Sequence, residues 1–292
     1  MRAWAQKVLG VSGEFDVLPT IGSKELIALL PTFLEAKRVL YPEIAYPTYL
    51  VGAMIAHAQH EAVGFDASTW PDADFLWINS PSNPTGRIAP AHELSEAIAY
   101  ARRTGAVLAS DECYINFPAD PSGPKPHSIL SLAAGDNTGL LAVHSLSKRS
   151  NLAGYRAALI VGDPALISRI REIRKHAGML LPAPIQAAMA VALGDEAHVD
   201  VQAAKYAKRR HVLRPALESL GFRIDHTEAG LYIWCTRDEA DMDSVAALAQ
   251  LGILVTPGHF YGQAGARHIR VALTATDAQI AEAATRIQAS LS

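Results

Sequence analysis

Short apolar runs rich in branched residues alternate with longer amphipathic stretches over the first two thirds of the chain. The runs at residues 16–20, 37–41, 75–79, 106–110, 139–144 and 157–162 read as strands. The stretches at 23–34, 47–57, 90–104, 164–176 and 184–193 carry apolar positions at helical spacing. Such alternation predicts an α/β fold, a mostly parallel sheet with helices on both faces. Asp163 followed by Pro164 marks a helix start, a capping side chain before the residue favoured at the first helical position. After Glu196 the pattern changes. A long charged helix, 196 to about 220, leads into strands at 222–226 and 231–236. A helix, a short strand at 253–256, a strand at 268–273 and a last helix follow. This predicts a large domain over residues 1–197 and a small α+β domain over 198–292. Residues 118–126, rich in Pro, Gly and Ser, read as a surface loop.

Composition narrows the class. With 292 residues, 50% hydrophobic and 19% charged, the chain can bury a sizeable core. A net charge of −3 offers nothing to nucleic acid or to an anionic membrane surface. No apolar run approaches the ~20 residues that span a bilayer. The first ten residues hold no signal-peptide core. Cys113 and Cys235 lie far apart and suggest neither a disulfide framework nor zinc; His57 and His60 lack further ligands, so no metal is expected. A cytoplasmic enzyme acting on small molecules is the expectation.

The most informative string is Ser145-Leu-Ser147-Lys148, followed by Gly154-Tyr-Arg156, between two expected strands. Keeping a lysine amine neutral at pH 7 against a reference pKa of ~10.4 costs roughly 4.6 kcal/mol. Condensation with an aldehyde removes much of that cost, which suits lysine to Schiff bases. The Arg156 fork suits a phosphate, and the Ser145 and Ser147 hydroxyls can add donors. Taken alone, Lys148 reads better as an exposed lysine in a polar loop.

Asp111, in Ser110-Asp-Glu-Cys-Tyr114, falls at the carboxyl end of a strand, where open α/β sheets bind ligands. A carboxylate opposite a pyridine nitrogen keeps that nitrogen protonated, and Tyr114 can donate to the ring's phenolic oxygen. A capping Asp is the plainer alternative. Asn79-Ser-Pro-Ser-Asn83-Pro84-Thr-Gly86 follows another strand; Asn83 can bond the ring oxygen, and the bond before Pro84 is a candidate cis peptide. Gly22-Ser23-Lys24 precedes a helix whose N-terminus can seat an anion, or is simply a cap. Tyr46 can stack on a planar ring or sit in the core. Arg270 interrupts an apolar strand and needs an anion, either a substrate carboxylate or a structural partner.

In this order the motifs resemble the class I/II aminotransferases of pyridoxal 5'-phosphate (PLP) fold type I, from Leu18 to the C-terminus. The match looks closest to bacterial N-succinyldiaminopimelate aminotransferases, through strings such as Gly22-Ser-Lys-Glu-Leu-Ile-Ala, Glu228-Ala-Gly-Leu-Tyr and Arg267-His-Ile-Arg270-Val-Ala-Leu. The resemblance implies a Schiff base on Lys148, which then shuttles a proton. It implies that Asp111 pairs with the ring nitrogen, that Asn83 and Tyr114 contact the ring oxygen, and that Tyr46 stacks on the ring. Ser23, the Lys24 N–H, Ser145 and Arg156 would hold the phosphate, Arg270 the α-carboxylate. Glutamate would be the amino donor to the N-succinyldiaminopimelate system, and the active unit a homodimer. Arg174, Lys175 and His176 are the candidates for the substrate's distal acid, and the sequence does not choose among them. Family members carry a segment ahead of the region matching Leu18 that supplies a tyrosine to the neighbouring subunit's phosphate. The chain from Met1 is too short there to include it, which implies either a start assigned too late or a shortened chain that holds PLP but turns over poorly. Two rival chemistries remain within PLP enzymes: a β-lyase, or transfer to another amino acid. A dinucleotide-binding dehydrogenase is disfavoured, because no Gly-x-Gly-x-x-Gly follows an expected strand.

Overall fold

The computed structural model describes residues 1–123 and 125–291. Seven strands form one sheet: β1 (Asp16–Ile21), β2 (Arg38–Pro42), β3 (Gln59–Val63), β4 (Phe75–Asn79), β5 (Val107–Asp111), β6 (Leu140–Ser145) and β7 (Ala157–Gly162). Their spatial order is β1-β7-β6-β5-β4-β2-β3. The pairs from β3 through β2, β4 and β5 to β6 are parallel; β7 runs antiparallel to both β6 and β1. The expected mostly parallel α/β sheet is therefore present. Because β7 reverses twice, β1 points the same way as β6.

Burial explains why the central strands were readable. All six positions of β6, and all six of β7, are buried. A strand covered on both faces reads as a continuous apolar run. Strand β3 was missed for the opposite reason. It is a sheet edge, and Gln59, His60 and Glu61 are exposed there. Polar and charged residues on an edge blunt unwanted pairing, and they hide the strand from a hydrophobic pattern.

Two apolar cores flank this sheet. On one face, Leu26, Leu30, Val39, Trp77 and Ile167 pack together; on the other, Leu76, Leu108, Ala142 and Leu159 meet the helices Ala91–Thr104 and Ala183–Gly194. Helix Pro164–His176 starts as expected, with the Asp163 carboxylate accepting from the N–H groups of Ala165 and Leu166. The loop at 118–126 includes residue 124, which lies outside the described residues.

The chain then enters the long helix Ala197–Ser219 and a four-stranded sheet ordered β10-β11-β9-β8. Its strands are β8 (Arg223–His226), β9 (Tyr232–Thr236), β10 (Thr256–Pro257) and β11 (Ile269–Ala272), all antiparallel. The strand expected at 253–256 is reduced to Thr256–Pro257. The Ile253 N–H bonds the Leu248 carbonyl and finishes the preceding helix, so it is not available to a ladder. No helix among the described residues is long and apolar enough to cross a membrane.

Candidate active site

The chemistry-bearing residues leave the seven-stranded sheet along one edge. Asp111 is the last residue of β5, and Lys148 follows β6. Asn83 follows β4, Tyr46 follows β2, and Gly22 and Ser23 follow β1. Arg156 immediately precedes β7, whose start lies at that edge because the strand is reversed. A cavity of about 500 Å³ opens there, within the range of small-molecule sites. Lys148, Asp111, Asn83 and Tyr114 line it, as do Ser23, Lys24 and Tyr46. Ser145, Ser147 and Arg156 line it from the β6–β7 side, and Arg270 from the four-stranded sheet.

Lys148 is set by its neighbours. It sits on the one-turn helix Leu146–Arg149, capped by the Ser145 hydroxyl, which accepts from the Ser147 N–H at 3.2 Å. The next residue, Arg149, is buried on the far side, held by Glu196 at 2.5 Å and by the Ala192 carbonyl at 2.7 Å. The helix is thus anchored from behind, and Lys148 is presented to the cavity.

Asp111 is 5% exposed. Burial pushes its carboxyl above the usual carboxylate range, opposed by the Cys113 N–H at 3.1 Å, the Tyr49 hydroxyl at 2.9 Å and the charge of His144. Among the described residues no cation touches it. A protonated ring nitrogen is the kind of partner that would hold it ionised. Tyr49 is itself pushed well up by burial and by Asp111, so it stays a neutral donor. Burial, and Tyr232 beside it, likewise raise the Tyr114 phenol; the two hydroxyls lie 3.1 Å apart.

Gly22 does not line the cavity but shapes its anion seat. Its φ is +72°, and a Cβ there would collide with the Arg156 guanidinium. The glycine therefore lets Arg156 lie across the N-terminus of helix Ser23–Phe33, where free N–H groups and the helix dipole favour a phosphate. The peptide bonds before Pro81 and Pro84 are both cis. Asn79 holds this turn: its amide donates to the Asp111 and Pro81 carbonyls and its oxygen accepts from the Asn83 N–H at 2.7 Å. Arg270 reaches across to the Asn83 side-chain oxygen at 2.8 Å. Its guanidinium is clasped between the rings of Tyr232, at 4.1 Å, and Tyr261, at 5.0 Å.

Sequence reasoning missed Tyr49, Asn79, Cys113 and Tyr232. Asn79, Cys113 and Tyr232 stood inside quoted motifs without a role of their own, so position past or at a strand was an available signal; Tyr49 acts through a contact that no local pattern encodes. The three candidates for a distal acid lie elsewhere. Arg174 is fully buried and grips Glu25 with two bonds of 2.8 and 2.9 Å. Lys175 and His176 are exposed beside Glu172. None of the three lines the cavity. A carboxyl-end cavity with an amine, a buried carboxylate and an anion seat fits a phosphorylated pyridine aldehyde.

Comparison with known proteins points the same way. The family model for aminotransferase class I and II matches residues 4–287. The chain is 51% identical over 292 residues to 4-dedimethylamino-4-oxo-anhydrotetracycline transaminase OxyQ of Streptomyces rimosus, covering 98% of this chain and 80% of that protein. It is 51% identical over 280 residues to the probable aminotransferase Rv1178 of Mycobacterium tuberculosis, covering 94% of this chain and 66% of that one. The solved structure of a probable N-succinyldiaminopimelate aminotransferase from Thermus thermophilus superposes with a TM-score of 0.87 at 26% identity, over 98% of this chain and 81% of the other.

Proposed function

This chain belongs to the class I and II aminotransferases, PLP-dependent enzymes of fold type I, and from that membership we propose that it passes an amino group between glutamate and a keto acid at Lys148. The observation that carries the reading is the meeting of Lys148, Asp111 and Arg156 in one cavity from three separate loops.

When bound, PLP supplies an aldehyde carbon for an amine and a ring that accepts the electron pair left at Cα. The protein's residues do the rest. The Lys148 amine would hold the cofactor's aldehyde carbon and would move the proton at the substrate's Cα. Asp111 would keep the ring nitrogen protonated, while Tyr114 and Asn83 would bond the ring oxygen. The helix start at Ser23 and Lys24, with Ser145, Ser147 and Arg156, fixes the phosphate. Tyr46 packs on the ring. Arg270 takes the α-carboxylate, with Asn83 beside it. A large domain to residue 197, a small one after it, and a homodimeric active unit complete the proposal.

N-succinyl-LL-2,6-diaminopimelate is the first reading for the partner substrate, supported by the likeness to the Thermus protein of that name. The 51% identity to OxyQ favours a second, a keto group on a fused polycyclic substrate. Spectral titration of the PLP-loaded protein with glutamate, and separately with N-succinyl-LL-2,6-diaminopimelate, together with a titration of the glutamate-treated protein with the polycyclic ketone, separates them. Release of pyruvate or ammonia in place of amino transfer would instead mark a β-lyase. Lys148→Ala is expected to lose the covalent yellow chromophore and all amino transfer. A variant that kept a borohydride-reducible adduct would remove Lys148 from its role.

A further inference from the structure

Arg270, the cation assigned to the α-carboxylate, makes no ion pair among the described residues. It bonds the Asn83 side chain at 2.8 Å and the Thr256 hydroxyl at 3.4 Å, between the rings of Tyr232 and Tyr261. An arginine side chain has many rotamers, so a guanidinium with no acid to hold it takes its aim from its walls. Two of those walls, Thr256 and Tyr261, belong to one short segment, β10 and the turn Gly258–Tyr261 that follows it. β10 pairs with β11 over two residues only, so the ladder does little to stiffen the segment. It is tied from both sides instead. On the side of the large sheet, the Tyr261 carbonyl accepts from the Ala45 N–H at 2.8 Å. On the other side the Asp241 carboxylate accepts twice from His259, from the backbone N–H at 2.8 Å and from the ring Nδ1 at 2.6 Å. An ionised carboxylate only accepts, so Nδ1 carries the hydrogen. Burial opposes the Asp241 charge, yet its bonds to the His259 N–H and ring outweigh burial and hold the carboxyl below its usual range. Asp241 is 5% exposed, and neither it nor His259 lines the cavity.

We propose that Asp241 and His259 are positioning residues for the substrate α-carboxylate: their clamp fixes segment 256–261, so that Thr256 and Tyr261 keep the Arg270 guanidinium aimed into the cavity. This inference rests on the aminotransferase reading above and adds to it two residues outside the cavity. A carboxylate that meets a guanidinium already in place does not have to order it on binding, and the affinity gained belongs to that end of the ligand alone. A clamp that served only the fold of the small domain would change stability and leave the choice between ligands untouched.

The test uses the PLP-loaded protein and two ligands, α-methyl-L-norvaline and its amide, α-methyl-L-norvalinamide. Each has a methyl group in place of the Cα proton, so neither is deprotonated there, and they differ only in the α-carboxylate. Dissociation constants come from the cofactor's absorption. The wild type is expected to prefer the acid. Asp241→Ala and His259→Ala should each reduce that preference about tenfold, the effect of one hydrogen bond to a charged group, with amide and PLP affinities unchanged. The double variant should fall no further than Asp241→Ala, because the two residues act as one unit. Asp241→Asn, whose side-chain oxygen still accepts from His259, should keep most of the preference. If Asp241→Ala does not fold, His259→Ala decides alone, since its ring is 41% exposed and its removal opens no buried void. An unchanged preference in His259→Ala, equal weakening of acid and amide, or full multiplication of the two effects in the double variant would overturn the proposal. A wild type that binds acid and amide alike would take Arg270 off the α-carboxylate, and the clamp's role with it. A wild type that forms no chromophore, or answers neither ligand, would count against the aminotransferase reading itself, and the proposal would fall with it.

Discussion

At the level of single residues, Asp111 shows how burial of a carboxyl becomes selectivity for a cofactor. Its folded carboxyl titrates above the unfolded one because burial penalises the charge. The sign follows from linkage. A group that binds its proton more tightly when folded stabilises the fold below its unfolded pKa, and that contribution is lost as pH rises through the folded value. Asp111→Asn should therefore make the cofactor-free protein melt higher than the wild type at pH 8, with the difference shrinking at low pH. The amide can still accept from Cys113 and donate to the Tyr49 oxygen in place of the present bonds. The same variant should slow Cα deprotonation by at least about a hundredfold, measured in a single-turnover reaction with glutamate. Equal melting temperatures across pH would remove the burial argument. Gly22→Ala is the second case. Its backbone, φ +72° and ψ 163°, lies in a region open essentially to glycine alone and costs another residue about 1–3 kcal/mol, and the methyl also displaces Arg156. PLP affinity, read by equilibrium titration, should drop about tenfold or more.

Asp111, Lys148, Asn83 and Arg270 were legible because each stands just past, or within, a strand that hydrophobicity reveals. Tyr49 was not. Its function is a bond to a residue 62 positions away, and its own neighbourhood reads as an ordinary helix start.

At the level of elements, the boundaries were legible where burial is two-sided and caps are explicit, as in β6, β7 and helix Pro164–His176. They failed at β3, whose edge is polar, and at β10, where the preceding helix claims the backbone. Helix Pro164–His176 also carries a side chain whose purpose the sequence left open. Arg174 ties that helix to Glu25 on helix Ser23–Phe33, so it braces the element that starts at the anion seat. Removing the cation strands a carboxylate that is 22% exposed. Arg174→Leu should cost about 3 kcal/mol in urea unfolding, the low end for a broken buried pair because Glu25 keeps some hydration. A change under about 0.5 kcal/mol would show that the brace is redundant.

At the level of the whole molecule, the sequence separated a βα-rich region from an α+β one, but not the strand order, which depends on pairings between distant segments. The two sheets meet in the cavity through Arg270 and Asn83. A ligand that touches both should stabilise the chain as a unit. PLP at about a hundredfold over its dissociation constant should add about 2.7 kcal/mol to unfolding, as one shifted transition. A shift confined to the first of two transitions would mean that the four-stranded sheet does not share the bound ligand's free energy.

The edge position of β1 also bears on biosynthesis. Among the described residues its neighbour in the sheet is β7, residues 157–162, so the strand has no mate until that segment has left the ribosome. Ser23 and Arg156, which flank that pairing, come together only then. A nascent chain halted before this point would carry the helix start but could not yet bring the arginine against it. Vitamin B6 capture should accordingly wait for the synthesis of residues 157–162, and a shortage of the vitamin would be felt only by chains that have passed that point.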